Sequence, residues 1–245
     1  MTFWEHLDEL KKVLFRSAIV IAVLMVVIFI NKNFVFDKVI LAPIHSNFFL
    51  YKWLPGLSGF HLKLINIDLA AQFFTHVNVS IVLAFILAVP YILYELWGFV
   101  KPALYEKEKK SVRKAFGFAS ILFFCGVVVG YLFVFPLTVR FLGSYQVSTA
   151  VSNNISLKSY ISMFTQLILI MGLVFEMPAL ALVLAKLGII SDKLLKKYRK
   201  HAFVILLILS AIITPSGDAF TLMVVATPLY LLYEFSIFIC RGINK

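Results

Sequence analysis

Charged residues are scarce in this chain: Asp, Glu, Lys and Arg together make up only 14% of its 245 residues. A soluble globular domain usually contains about 25% charged residues, because its water-facing surface needs them. Apolar residues are in matching excess, at 62%, and the mean hydropathy is +0.96. A soluble fold of this size cannot bury so large an apolar fraction. The composition therefore predicts an integral membrane protein.

Sequence motifs of catalysis and cofactor binding are also missing. The chain has no Gly-rich phosphate loop, no HExxH zinc motif and no GxSxG nucleophile motif. Its two cysteines, Cys125 and Cys240, both fall in apolar segments, where free buried thiols are the usual state. The N-terminus begins with acids, and no small-x-small site follows Ile30, so no cleavable signal peptide is predicted. We therefore expect no enzymatic activity, metal site or cofactor.

Six apolar segments account for most of the chain. Crossing a hydrocarbon core of about 30 Å takes about 20 helical residues, and no ten-residue alternation typical of a barrel is present. The fifth segment is short, and Pro228 interrupts the hydrogen bonding of the sixth. We predict one all-α domain of six transmembrane helices, the last two short and ending below the outer membrane surface. The segments are 13–30, 70–97, 115–138, 160–185, 201–213 and 220–239.

Lysine and arginine predict the orientation, because basic short loops remain in the cytoplasm. Of the 23 basic residues, 17 lie before the first segment, in 98–114, in 186–200 or after the last segment. Only six lie in the alternate loops, 31–69 and 139–159. Both termini are therefore predicted to be cytoplasmic. The net charge of +11 is explained by this bias and by attraction to anionic lipid, so no nucleic-acid partner is expected.

The two outer loops are expected to form a cap. Loop 31–69 is long and rich in aromatic and aliphatic residues. A loop of this length in a compact protein is usually functional or disordered, and the aromatic content argues against disorder. We expect short helices at the membrane interface there. Loop 139–159, with a polar centre, is predicted to form the second part of the cap.

Glu176 is the clearest ionisable residue inside a predicted span. It lies about 15 Å from the cytoplasmic end of the fourth segment, and Pro178 predicts a bend beside it. An acid at this depth is costly and is a functional hypothesis by default. Two interpretations stay open: a carboxyl hydrogen-bonded to Gln166, Thr165 or another helix, or a carboxyl that meets a partner in a polar groove. We favour the groove.

Three further acids lie near helix ends. Asp218 either caps the last helix or accepts a contact at membrane depth, since aspartate is a good N-cap residue. Glu234 either has a structural role, reaching the cytoplasmic interface or pairing with Arg241, or carries a function, and Glu95 has similar alternatives. For Glu234 and Glu95 we favour the structural role.

Two acids in the basic cytoplasmic segments have poor local neutralisation. Helical neighbours lie three and four residues apart, which gives Glu106 a partner in Lys110. Glu9 has Lys12 on one side but an acid on the other, and Glu108 has no basic residue at these spacings. Carboxylates accept guanidinium groups in bidentate geometry. Solvated surface acids are the ordinary interpretation, and a site for arginine side chains is the alternative.

Five motifs decide between these interpretations. They occur in the order HLDELKKVLFRS (6–17), YILYELWGFVKPALYEKEKK (91–110), GYLFVFP (130–136), FEMPAL (175–180) and TPSGDAF (214–220). Together, in this order and spacing, the motifs resemble TatC, the multi-span core of the twin-arginine protein translocase. The resemblance extends from about residue 5 to residue 238. It implies a concave, glove-like bundle with a periplasmic cap in the bacterial cytoplasmic membrane.

The same resemblance implies a function. A TatC-like protein is a receptor for twin-arginine signal peptides and takes part in exporting folded proteins on the protonmotive force. Its expected partners are precursor proteins, membrane lipid and single-span TatA- and TatB-type subunits, which we place at the fifth and sixth helices of a homo- and hetero-oligomer. A secondary transporter or channel with Glu176 as a proton or cation site is the alternative, although the sequence lacks a second intramembrane charge and internal repeats.

Site residues also follow from the resemblance. Signal-peptide recognition is implied for Glu9 and Glu108, with Glu108 as the principal contact. The same patch includes Leu10, Lys11, Phe99 and Pro102. Glu176 matches the glutamate on the concave side, and Pro43, Tyr131 and Pro136 fall in outer-side motifs. Two departures are notable: Asp218 follows TPSG where the family commonly reads TPPD, and Lys11 stands where arginine is common.

Overall fold

Helices make up most of the structure, a computed structural model that describes residues 3–45, 48–53, 62–103, 105–148, 153–214 and 216–242. Positions 3, 52, 53, 103, 107, 108 and 111 are described by backbone only. The α-helices are α1 (Phe3–Ile30), α2 (Phe49–Trp53), α3 (Ala71–Val100), α4 (Glu106–Val129), α5 (Phe135–Ser144), α6 (Leu157–Val174), α7 (Met177–Lys186), α8 (Asp192–Lys197), α9 (Arg199–Ile213) and α10 (Ala219–Arg241).

Every predicted apolar segment lies within this helical framework. A π-helix, Gly130–Val134, joins α4 to α5, so the third segment forms part of one continuous helical run. The fourth segment is divided between α6 and α7 by a turn at Phe175 and Glu176, and Pro178 lies in the first turn of α7. Proline is tolerated there because first-turn amides lack intrahelical partners. The predicted bend beside Glu176 is therefore present.

Five helical runs among the described residues are long and apolar enough to cross a membrane. They are Trp4–Ile30, Ala71–Val100, Val112–Ser144, Leu157–Lys186 and Ala219–Arg241. Helix α9 has 15 residues and is therefore about 22 Å long. The expectation of two short final helices is correct for α9 and wrong for α10, which has 23 residues and continues through Pro228. Loss of one hydrogen bond at a proline does not end a long helix when the flanking turns remain intact.

Two glycines allow α4 and α6 to approach closely. A methyl group added at Gly126 would lie 2.5 Å from the Met171 carbonyl oxygen. One added at Gly172 would lie 2.8 Å from the Phe123 ring. Small residues allow helix backbones to pack closely in membranes, where the hydrophobic effect between helices is weak. This crossing lies next to the core that surrounds Phe164.

The bundle has two chemically different ends. We call the end at which α1 and α4 begin and α3, α7 and α10 end the basic end, because the basic segments lie there. We call the opposite end the tyrosine end, for the hydroxyl contacts described below. The tyrosine end carries a π-helix (Phe34–Ile40), a 3₁₀ helix (Ala42–Ile44) and α2. Two short parallel strands, β1 (Leu64–Ile65) and β2 (Ile155–Ser156), join its two long connections.

Candidate functional site

The start of α1 and the end of α3 meet at the basic end. The His6 ring stacks on the Phe99 ring, with centroids 4.1 Å apart and planes 22° apart. Leu10, one turn beyond His6, is half-buried, and Lys11 is exposed. After α3 ends at Val100, a 3₁₀ turn, Lys101–Ala103, places Pro102 at the surface. The structure thus joins two of the three segments that contain the expected signal-binding residues.

Glu9 has a partner that the sequence interpretation discounted. Its Oε1 lies 2.7 Å from Nζ of Lys12, three residues along α1. The expectation of a poorly neutralised Glu9 is therefore wrong, because the i+3 lysine alone is within reach. Both side chains are largely exposed, at 44% for Glu9 and 58% for Lys12. Exposed ion pairs are weak because water screens them, so this pair contributes little to stability.

Glu108 lies in the first turn of α4, directly after the 3₁₀ turn that contains Pro102. Its side chain is outside the described residues. The neighbouring Glu106 pairs with Lys109 rather than with the expected Lys110. The hydrogen bond and the charge of Lys109 lower the pKa of Glu106 below its usual value. Glu106 is therefore neutralised locally and serves as a natural comparison for Glu108.

Glu176 and Gln166 are not brought together. Gln166 Nε2 donates to the Ile213 carbonyl at 3.0 Å, and this bond links α6 to the end of α9. Thr165 donates to carbonyls of its own helix. Glu176 is half-buried at the α6–α7 turn, and its buried Oε1 has no hydrogen-bond partner among the described residues. The alternative interpretation, a hydrogen bond from Gln166 or Thr165 to Glu176, is therefore not supported.

The outer-side residues Pro43 and Tyr131 belong to a set of tyrosine contacts. The Tyr131 hydroxyl donates to the Val39 carbonyl at 2.8 Å, and Tyr51 donates to the Pro43 carbonyl at 2.9 Å. Tyr160 donates to the Ile40 carbonyl at 2.7 Å. Each hydroxyl satisfies a backbone carbonyl of the first outer connection. Tyr131 and Tyr160 therefore hold that connection against the helices, and Tyr51 links two parts of it.

Tyr51 and Tyr160 are the members of this set that sequence reasoning missed. The Tyr51 hydroxyl also lies 3.5 Å from the Pro136 carbonyl, which connects it to α5. Burial raises the pKa of Tyr51 to about 12, although the nearby Arg140 charge opposes the shift. Tyrosines in an apolar loop have no periodic pattern that distinguishes a buried hydrogen bond from an interfacial position. Their partners are carbonyl groups, which no sequence pattern identifies.

Asp218 and Glu234 have structural partners. Asp218 is the N-cap of α10, where its Oδ1 accepts from the Thr221 amide at 2.7 Å, so the capping interpretation is confirmed. Glu234 pairs with Arg199 of α9 at 2.6 Å, not with Arg241. An interhelical partner in another sequence segment cannot be found from spacing along one helix. No cluster of three or more potential metal ligands is found within the described part of the chain.

Comparison with known proteins agrees with this geometry. The family model described as Sec-independent protein translocase protein (TatC) matches residues 5–228. The chain belongs to the TatC family. It is 38% identical to the TatC of Blattabacterium sp. subsp. Periplaneta americana over 100% of this chain and 97% of that protein. It is 35% identical to the TatC of Carboxydothermus hydrogenoformans over 100% of this chain and 94% of that protein.

A solved structure shows the same fold. The crystal structure titled twin arginine translocase receptor TatC has a TM-score of 0.79 and 33% identity, covering 98% of this chain and 100% of that chain. This TatC is accordingly a component of the Sec-independent, twin-arginine protein translocase. It is a multi-pass membrane protein whose role is transport together with the other translocase subunits. The resemblance inferred from the five motifs is confirmed.

Proposed function

We propose that this TatC chain is the receptor for twin-arginine signal peptides and that the basic end binds them. The observation that carries the proposal is the His6–Phe99 stack, which brings the α1 signature and the α3 end together. Glu9 lies one turn from His6, and Pro102 follows Phe99 at the surface. Glu108 lies in the first turn of the next helix, α4. The start of α1, the end of α3 and the start of α4 thereby form one rim of the basic end.

The chemistry of this rim suits paired guanidinium groups. Carboxylates bind arginine in planar, bidentate geometry that lysine lacks. Glu9 is already bound to an exchangeable cation, Lys12, which a signal arginine replaces. Glu108 supplies the principal contact. Half-buried Leu10 and Phe99 provide apolar surface beside the acids, and Lys11 completes the patch.

The remaining parts of the proposal follow from the membrane position. The basic end faces the cytoplasm, with both termini there, because basic short loops are retained on that side. The signal's hydrophobic segment then enters the bilayer along the concave face of a glove-like bundle capped by the outer connections. Folded cargo is exported across the bacterial cytoplasmic membrane, and the protonmotive force drives this export. The cap is supported by the strand pair that joins the two connections.

Partner subunits are placed at α9 and α10 of the oligomer. Helix α9 buries Leu206, Ser210 and Ile213, while most of its remaining apolar residues are exposed. A single-span TatA- or TatB-type helix covers that face. Glu176 meets a polar side chain of a partner in the intramembrane groove, because its buried Oε1 has no partner among the described residues. Gln166 holds the end of α9 beside this groove.

Photocrosslinking tests the receptor assignment. Probes at positions 9 and 108 are expected to crosslink a precursor with a twin-arginine signal, and a twin-lysine signal is expected to lose the crosslinks. Glu108→Lys should abolish the crosslink from position 9 by charge repulsion, with the protein still inserted. Glu106→Lys is the matched control, since Glu106 is neutralised by Lys109. Unchanged crosslinking in Glu108→Lys would refute the assignment.

A further inference from the structure

A groove of about 560 Å³ lies between α1, α3 and α4 at the basic end. Its volume is within the usual range of about 300–1,000 Å³ for small-molecule sites. The walls include Gly98 and Gly117, and a methyl group added at either glycine would meet nothing within 4 Å. The groove is therefore open where these two helices face each other. Of the expected signal-binding residues whose side chains are described, none lines it.

The charged lining of this groove is mainly cationic. Arg16, Lys101 and Arg113 line it together with one acid, Glu95. Both Glu95 oxygens are engaged: Oε2 lies 3.5 Å from Arg16 Nη1, and Oε1 accepts the Tyr91 hydroxyl at 2.7 Å. Glu95 therefore positions Arg16 and leaves little negative charge to attract a cation. A twin-arginine segment would be repelled here.

Lys101 and Arg113 are exposed and form no ion pair with another described residue. The charge of Lys101 reaches Glu106, but Glu106 bonds Lys109 instead. Two cations that have no ion pair among the described residues, with a positioned arginine around the same cavity, attract an anion with several oxygen acceptors. A phosphate group has this chemistry.

The lining also changes along the helix axes. Below the charged residues lie Pro90, Leu93 and Phe116, which are half-buried and apolar. Along α3, Tyr94 and Trp97 flank Glu95 between Leu93 and Lys101, and aromatic residues are enriched at membrane interfaces. A ligand with a phosphate headgroup near the basic end and an acyl chain deeper in the membrane matches this order. A soluble phosphate ester would leave the apolar level unused.

We propose that this groove binds the headgroup of an anionic phospholipid from the leaflet at the basic end, with Lys101 and Arg113 as phosphate contacts and Arg16 as a third cation fixed by Glu95. The part of the acyl chain nearest the headgroup packs on Leu93 and Phe116. Such a lipid fills the space between α3 and α4 next to the turn that contains Pro102. The proposal stands on the groove alone and does not require the receptor assignment.

Native mass spectrometry of the purified full-length protein tests the proposal with phosphatidylglycerol as the probe. We expect phosphatidylglycerol to remain bound and phosphatidylcholine, whose headgroup is zwitterionic, to bind much more weakly. Lys101→Gln combined with Arg113→Gln should weaken phosphatidylglycerol binding about 30-fold, since each basic residue near an anionic lipid contributes about fivefold. Lys200→Gln with Arg241→Gln is the control, because it removes the same charges from the same end outside the groove.

Three results would overturn the assignment: equal binding by the groove variant and the control, equal binding of the two lipids, or displacement of phosphatidylglycerol by an equal concentration of glycerol 3-phosphate. The last would show a site for a soluble phosphate. If the glutamine variant does not fold, Lys101→Arg with Arg113→Lys keeps both charges and should keep the lipid. Loss of lipid from that charge-preserving variant would also contradict the proposal.

Discussion

The two ends of the bundle hold their polar groups in opposite ways. At the tyrosine end, the hydroxyls of Tyr131 and Tyr160 donate to carbonyls of the first outer connection, and Tyr51 donates within that connection, with the Tyr51 and Tyr160 contacts buried. At the basic end, Glu9 pairs with Lys12 in the next turn of the same helix, exposed to solvent. A buried hydrogen bond is costly to break because the carbonyl is left unsatisfied. An exposed ion pair exchanges freely with water and other ions.

This difference suggests a division between scaffold and binding surface. Contacts of long sequence separation fix the outer connection on the helices and do not exchange with a ligand. Glu9 at the basic end remains exposed to solvent, where our proposal places the cationic peptide. Mutations at the two ends should therefore separate loss of stability from loss of signal binding. The following predictions test that separation in order of decreasing effect on stability.

The largest loss of stability is expected from Gly126→Ala. The added methyl group would lie 2.5 Å from a backbone oxygen of Met171, which cannot move away without shifting α6. Overpacking of this kind costs about 3 kcal/mol at the upper end of its usual range. Gly117→Ala, where nothing lies within 4 Å, is the control. Thermal unfolding in detergent should separate the two variants, and equal midpoints would show that the helices are not closely packed.

Tyr160→Phe should have the next largest effect. It leaves the Ile40 carbonyl without its buried donor, at a cost of about 1–2 kcal/mol. Tyr145→Phe removes the same hydroxyl from a side chain that is 63% exposed at the same end. Chemical unfolding in detergent should show destabilisation for the first variant and little change for the second. Equal stability of both variants would contradict the conclusion that buried hydrogen bonds stabilise the tyrosine end.

An intermediate effect is expected for Arg199→Gln. This change removes the 2.6 Å ion pair with Glu234 that joins the start of α9 to α10. The pair is partly exposed, so the loss should be about 1 kcal/mol or less. Lys193→Gln, on exposed surface in α8, provides a charge-matched control. A loss as large as that of Tyr160→Phe would mean that ion pairs at the basic end also act as scaffold.

The smallest effect on stability is expected for Glu9→Gln. Its partner Lys12 is exposed and remains solvated when the carboxylate is removed. The unfolding midpoint should agree with that of the parent protein within experimental error. A clear drop in the midpoint would indicate that Glu9 holds α1 in place, which the exposed i,i+3 geometry does not predict.

The helices could be predicted from the sequence because long apolar runs leave few alternatives in a membrane. The turn at Phe175 and Glu176 was also predictable, since Pro178 disrupts the hydrogen bonding of a helix interior but fits the first turn of a new helix. The length of α10 was underestimated because a proline was given more weight than the flanking residues. Strands β1 and β2 were not predictable: two residues each contain no usable periodicity.

The candidate site was predictable only through its motifs. Spacing along a helix identified Lys12 as a neighbour of Glu9 but did not predict that the two pair, and it gave Glu234 the wrong partner, Arg199 being 35 residues away. The stacking of His6 on Phe99 joins segments 93 residues apart in sequence, and no local pattern indicates it. Pairing between distant segments depends on the packing of helices. That packing is visible only in the folded chain.

The most direct test measures twin-arginine peptide affinity for the Glu9→Gln variant, with Asp8→Asn as the neighbouring control. In our proposal the Glu9 carboxylate exchanges Lys12 for a signal arginine, so its removal should weaken peptide binding about tenfold. The Asp8→Asn and Tyr160→Phe variants should bind the peptide nearly as well as the parent protein. Binding by Glu9→Gln that equals the Asp8→Asn control would contradict the assignment of this end to signal recognition.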